Sequence, residues 1–105
     1  MAGLDGKVVV VTGSSRGIGK AIAQECGAQG AKVVVVARTE EAGGRLPGTI
    51  HQTVQEIQDA GGQAMAVRCD VTDEEAVQAL VASVMGAHGR IDALVNNAGI
   101  QVNVG

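Results

Sequence analysis

Phenylalanine, tyrosine and tryptophan are all missing from this chain of 105 residues. A mechanism that needs a tyrosine is therefore excluded for these residues. The core has to be built from Val, Ile, Leu, Ala and Met, without the large areas that aromatic rings bury. No apolar stretch reaches the ~18 residues of a membrane-spanning helix. The opening Met1-Ala2-Gly3-Leu4-Asp5-Gly6-Lys7 has no basic flank leading into a long apolar run, so it does not read as a secretory signal. Net charge is −3, with the basic residues scattered, which argues against nucleic acid as a partner. The two cysteines, Cys26 and Cys69, have no motif spacing. Both read as small buried apolar residues in a reducing, cytoplasmic setting. His51 and His88 have no partners at metal-ligand spacing, so no metal site is expected.

What is present is an alternation of two patterns. Val8-Val9-Val10-Val11 and Val33-Val34-Val35-Val36 are continuous β-branched runs, the pattern of strands buried on both faces of a parallel sheet. Between them, residues 17–29 have helical character, with Ile18, Ile22, Cys26 and the alanines on one side. Gly27 is a weak point in that helix, and Gly30 fits its stop. A loop with adjacent glycines and Pro47, the only proline, follows the second run. Thr49 and Gln52 then form a capping box. Ile50, Val54 and Ile57 continue as an amphipathic helix that ends at Gly61-Gly62.

Ala64-Met65-Ala66-Val67 reads as a third strand. Thr72 with Glu75 reads as a second capping box, opening a helix whose apolar stripe is Val77, Leu80, Val81 and Val84. Glu74 and Glu75 suit the dipole of its first turn and are not a catalytic pair. Ala93-Leu94-Val95 is a fourth short strand, and Asn96-Asn97-Ala98-Gly99 a turn. The order βαβαβαβ implies an α/β fold, a Rossmann-like doubly wound parallel sheet of order 3-2-1-4, with residues 1–105 in a single domain.

The most specific feature is Thr12-Gly13-Ser14-Ser15-Arg16-Gly17-Ile18-Gly19, set between a strand and a helix. Glycines there let the backbone turn tightly and approach a pyrophosphate, while the helix N-terminus offers free N–H groups to the anion. A bare glycine-rich turn is the rival reading. The spacing G-x-G-x-x-G fails, because Ile22 stands where a small residue is needed. The triphosphate loop G-x-x-x-x-G-K-[ST] fails as well, with Ser14 in place of its first glycine and Ala21 in place of its hydroxyl.

Thr-Gly-x-x-x-Gly-x-Gly after the first strand, Asp70-Val71 after the third and Asn96-Asn97-Ala98-Gly99 after the fourth together resemble the short-chain dehydrogenase/reductase family. The stretch Leu46-Pro47-Gly48-Thr49-Ile50 is similar to a hydroxysteroid-dehydrogenase-like subgroup. The resemblance implies a nicotinamide-dependent oxidoreductase. It implies that Gly13, Gly17 and Gly19 cradle the pyrophosphate, with Ser15, Arg16 and Ile18 of the same loop beside it. Asp70 would accept a hydrogen bond from the adenine amino group next to the Val71 backbone, and Asn97, Ala98 and Gly99 would line the ribose and the path to the nicotinamide. A turn role stays open for Asp70, and a strand-pinning role for Asn96 and Asn97.

NAD-binding units place an acid at the end of the second strand, on the ribose 2′-OH. Ala37 stands there and leaves room for a 2′-phosphate, and Arg38 follows with a planar fork suited to it. With Arg16 in the glycine loop, this favours NADP(H). Glu40 and Glu41 keep NAD(H) open.

The family's hydride transfer uses a tyrosine, a lysine four residues later, a serine and an asparagine, all downstream of the Asn-Asn-Ala-Gly turn. These 105 residues contain no tyrosine, and their last lysine is Lys32. No catalytic residue is therefore assigned. The chain reads as a fragment, a truncated gene product or a deliberate half-domain. A non-catalytic dinucleotide-binding module and a vestigial site are the alternatives to an oxidoreductase. Full-length members of the family are homo-oligomers, and self-association is expected here too, with part of both valine runs left facing water.

Overall fold

The structure is a computed structural model and describes residues 3–13, 17–38 and 50–96. The strands are β1 (Val8–Thr12), β2 (Lys32–Ala37), β3 (Gln63–Arg68) and β4 (Ala93–Asn96); the helices between them are α1 (Gly17–Ala28), α2 (Ile50–Asp59) and α3 (Glu74–His88). All pairings are parallel, in the order β3-β2-β1-β4. This is the doubly wound sheet expected from the alternation, and every strand ends on the same edge.

The two valine runs form the centre of the sheet, paired Val9 to Val33, Val10 to Val34 and Val11 to Val35. Strand alternation divides them between two cores. Val9, Val11, Val33 and Val35 pack with Ala23 of α1 and with Ile50 and Ile57 of α2. Val8, Val10, Val34 and Val36 pack with Leu80 and Val84 of α3. All eight valines are 3% exposed or less. The expectation that part of each run meets water is therefore wrong: α3 alone covers the second face over β1 and β2. What it leaves uncovered lies further out, at Leu94 on β4, 63% exposed.

The helix faces need three corrections. Ile18 is 72% exposed and is not part of the buried stripe of α1. That stripe is made of the small residues Gly19, Ala23 and Gly27, all buried, while Ile22 and Cys26 lie half-buried at its side. In α3, Leu80 and Val84 are buried but Val81 is 44% exposed, so the apolar face is narrower than the sequence suggests. The N-cap of α3 is Asp73 rather than Thr72: its side chain accepts from the backbone N–H groups of Glu75 and Ala76. The Thr49 capping box lies outside the described residues.

Gly27 also has a use that propensity alone does not show. A Cβ built there would stand 2.7 Å from Cγ2 of Ile57, and one built at Gly62 would meet the same methyl at 2.7 Å. Ile57 is thus seated in a notch between two glycines, one from α1 and one from the end of α2. The ~1 kcal/mol cost of a helical glycine is offset by letting the two helices approach around a buried isoleucine. Both helices end in the same reverse turn, with Ala31 N–H donating to the Cys26 carbonyl at 3.1 Å and Gly62 N–H to that of Ile57 at 2.8 Å. Cys69 is buried as expected, whereas Cys26 is only half-buried, and both are free thiols. Among the described residues no helix is long and apolar enough to cross a membrane.

At the opposite edge of the sheet, Asp92 joins β4 to β1. Its Oδ2 accepts from the Val8 N–H at 2.7 Å, and its Oδ1 accepts from Arg90 Nη2 at 2.6 Å. The hydrogen bonds of Arg90 come first, and that of the Val8 N–H second, in holding the Asp92 carboxyl below the ordinary carboxylate range. The exposed ion pair by itself contributes little; the bond to Val8 is the one that ties two strands. Because the folded pKa is lowered, this stabilisation is present above about pH 4 and is lost as pH falls through the folded value. Asp92→Asn should therefore melt at a lower temperature than the parent at pH 7, and the gap should narrow as the pH is taken from 7 to below about 4. Thermal melts by circular dichroism across that range check this; identical melts at pH 7 would remove Asp92 from the account.

Candidate functional site

The carboxyl ends of all four strands converge on a cleft of about 310 Å³. Its lining comes from Thr12 and Gly13 after β1, Val36, Ala37 and Arg38 from β2, Cys69, Asp70, Val71 and Thr72 after β3, and Asn96 of β4. A cleft at this edge is where doubly wound sheets take ligands, because the chain order reverses there: β1 connects to one side through α1, and β4 arrives from the other.

Each wall has a local cause. Thr12 is buried at the last position of β1, and its hydroxyl donates to Oδ1 of Asn96 at 3.0 Å. Asn96 therefore ends β4 and pins it to β1, the strand-pinning role left open for it; the rest of the turn assigned from the sequence lies outside the described residues. Gly13 follows at φ +65°, a left-handed conformation that lets the chain leave the sheet abruptly toward α1. Gly17, Ile18 and Gly19 form the first turn of α1, at the end where its backbone N–H groups have no partners within the helix.

On the second wall, the main chain of β2 is held to that of β3 beyond the last sheet pair. Cys69 N–H donates to the Ala37 carbonyl at 2.9 Å, and Arg68 Nε donates to the Arg38 carbonyl at 3.1 Å. Arg38 itself is exposed and lines the cleft. Asp70 closes the floor with an internal turn: its Oδ1 accepts from the Thr72 hydroxyl at 2.6 Å and from the Thr72 N–H at 3.0 Å. The turn role left open for Asp70 is thus present in the structure, and the carboxylate stays exposed at the cleft. The Thr72 hydroxyl first, then the Thr72 N–H, lowers the pKa of Asp70, with smaller help from the charges of Arg38 and Arg68. Burial pushes the Cys69 thiol upward, so the cysteine lining this cleft is a poor nucleophile.

Of the residues assigned from the sequence, the structure brings Gly13, Arg38, Asp70 and Val71 to one cleft, with Gly17, Ile18 and Gly19 at the adjoining helix start. Ser15, Arg16, Asn97, Ala98 and Gly99 lie outside the described residues, as do Glu40 and Glu41. Among the described residues there is no group of three or more His, Cys, Asp or Glu placed to hold a metal ion. The sequence reading places Thr12 in the glycine motif without giving it a role, and it does not single out Arg68. Each has a partner more than twenty-five residues away in the chain, met through the parallel register: Thr12 lines the cleft beside Asn96, and Arg68, paired with Ala37, reaches the Arg38 carbonyl without lining the cleft itself.

Comparison with known proteins agrees with this geometry. The family model for short chain dehydrogenases matches residues 7–105. Hydroxysteroid dehydrogenase-like protein 2 from Xenopus laevis is 50% identical over 95 residues, covering 90% of this chain and 23% of that protein. The 3beta-hydroxysteroid dehydrogenase 1 of Eggerthella lenta is 48% identical over 99 residues, covering 94% of this chain and 36% of that one. Among solved structures, a metagenomic short-chain oxidoreductase in complex with NADP superposes with a TM-score of 0.82 at 46% identity, over 92% of this chain and 41% of that chain. A hydroxysteroid dehydrogenase from Escherichia coli gives 0.82 at 44% identity, over 91% of this chain and 38% of that chain. The chain spans well under half the length of the relatives it matches. With strand order, strand-end cleft and family match in agreement over almost every residue, the chain belongs to the short chain dehydrogenase family.

Proposed function

We propose that residues 1–105 are the dinucleotide-binding part of an NADP(H)-dependent oxidoreductase. The observation that carries this reading is the end of β2: a small residue, Ala37, followed by the exposed Arg38, on a cleft that also holds Gly13 and Asp70. The cleft fits the cofactor by the chemistry of its donors. The chain turn at Gly13 and the first turn of α1 suit the pyrophosphate, Asp70 and the Val71 backbone suit the adenine, and Arg38 suits a ribose 2′-phosphate. Asn97, Ala98 and Gly99 would continue the groove toward the nicotinamide, and Ser15 and Arg16 would close the glycine loop. When bound, the nicotinamide supplies or accepts the hydride; the part of the chain described here binds and orients it.

An arginine–phosphate bond contributes on the order of 1.5–3 kcal/mol, or roughly 10–100-fold in affinity. Arg38 is solvent-exposed, which favours the lower end of that range. NADP(H) should therefore bind about tenfold tighter than NAD(H), and Arg38→Ala should erase most of the difference. Titration calorimetry of both cofactors on both proteins checks it; equal affinities for the parent would end the preference.

The same reading sets what these residues do not do. Lacking any tyrosine, the 105-residue chain should leave NADPH and a carbonyl substrate unchanged, because the general acid that contributes roughly 10²–10⁴-fold is missing. Oxidation of NADPH above a protein-free blank would show that another group takes the role.

We also propose that a chain of these residues self-associates. Leu94 on β4 and Val81 on α3 are exposed and line an apolar cleft of about 220 Å³ together with Val10, Leu80 and Ile91. Met85, 46% exposed, extends the patch along α3. Among the described residues β4 pairs only with β1, so its other edge can template a further strand. Leu94→Lys should shift the chain toward monomer in size-exclusion chromatography with light scattering. A sharp monomer peak for the parent at low micromolar concentration overturns the proposal.

A further inference from the structure

The end of β2 has a second guanidinium beside it that the reading above leaves unused. In the parallel register Ala37 pairs with Arg68. Paired residues of adjacent strands point to the same side of the sheet, with strands about 4.8 Å apart. The packing agrees: Ala37 of β2 and Ala64 and Ala66 of β3 all lie against the core formed with α1 and α2, so alternation puts Arg68 on that side too. Val67 and Cys69 face α3 instead. The space that the short side chain of Ala37 leaves open is therefore flanked by Arg68, its immediate cross-strand neighbour. Arg38 follows Ala37 in the chain and borders the cleft itself.

Arg68 is exposed, yet one of its donors is committed. Its Nε donates to the Arg38 carbonyl at 3.1 Å. That bond ties the guanidinium to the backbone of Arg38, at the point where β2 leaves the sheet. A guanidinium carries five N–H donors in a rigid fork; with Nε occupied, the four on its terminal nitrogens make no hydrogen bond among the described residues. We propose that Arg68 is a specificity-determining residue of this site: with Arg38 it forms a two-arginine clamp for a phosphate monoester next to Ala37, and it positions Arg38 through the carbonyl bond. The ligand chemistry is a ribose 2′-phosphate, which distinguishes the phosphorylated dinucleotide from its 2′-hydroxyl counterpart. The charges of both arginines already help to depress the pKa of Asp70, after the two hydrogen bonds from Thr72, so their joint field reaches the cleft. A dianionic phosphate is a stronger partner for that field than a single carboxylate is.

This inference rests on the dinucleotide reading, and the test separates the two. Adenosine 2′,5′-bisphosphate and 5′-AMP serve as probes, titrated calorimetrically into the 105-residue chain at one salt concentration. The parent should prefer the bisphosphate. Arg68→Met should cut that preference by roughly tenfold, the size of one charge-assisted contact, and leave 5′-AMP binding within twofold. Lys7→Met makes the same charge change next to the first residue of β1, at the far edge of the sheet, and should leave the preference intact. Arg38→Ala combined with Arg68→Met should cost less than the two single changes added together, because Arg68 acts partly through Arg38. An unchanged preference in Arg68→Met overturns the inference alone, as does an equal loss in Lys7→Met, which would reduce the effect to net charge. A parent chain that binds neither nucleotide, or both equally, overturns the NADP reading and the clamp with it. Melting curves of each variant accompany the titrations, so that a loss through unfolding is told apart from a loss of contact.

Discussion

The structure depends on the side-by-side pairing of two valine runs. Eight β-branched residues in two adjacent strands can be buried only if both faces of the sheet are covered, and parallel strands can be joined only by crossovers long enough to return the chain to its starting edge. Helices on both sides follow from that, and so does the convergence of all four strand ends on one edge. The cleft is a consequence of the same constraint: the chain leaves β1 toward β2 on one side while β4 arrives on the other, and among the described residues no helix covers the gap between them. Gly13, directly after β1, takes there the left-handed conformation that glycine adopts without strain.

Packing on the two faces is solved differently. On one side α1 and α2 approach each other closely enough to enclose Ile57 between Gly27 and Gly62, which a chain without aromatic residues needs in order to fill its core. On the other side a single helix suffices, because Leu80 and Val84 span the paired valines. The apolar surface left over is concentrated at β4 and the outer side of α3. The weak side of this domain is therefore a local patch, and its centre is sealed.

Polar groups at the strand ends do double duty. Asp70 holds its own turn through Thr72 and still presents a carboxylate to the cleft; Asn96 ties β4 to β1 through Thr12 and forms part of the same wall. A residue that already fixes a turn has little freedom left to lose. Arg68 fits this pattern, with one donor spent on the backbone of Arg38 and the rest of the fork available.

The sequence by itself determined the fold class, the strand order and the placing of Gly13 at a strand end and of Gly17 at a helix start; Arg38 and Asp70, proposed from it as site residues, stand at the cleft. These rest on local signals: unbroken β-branched runs, helix periodicity, and glycines at fixed offsets from a strand end. It misplaced what depends on neighbours. The exposure of Ile18 and Val81 could not be read from periodicity, because helix faces are set by how far the sheet extends beneath them. Thr72 looks as good an N-cap as Asp73 until the backbone shows which side chain reaches the free N–H groups. Gly27 looked like a defect until Ile57, thirty residues later, occupied the space. Thr12 carried a motif signal but no role, and Arg68 carried no signal of its own, because an arginine at a strand end is commonplace. Register alone made one a pin for β4 and set the other beside Ala37, since which residues meet across parallel strands is decided by the packing of the intervening helices and not by any residue within the strands.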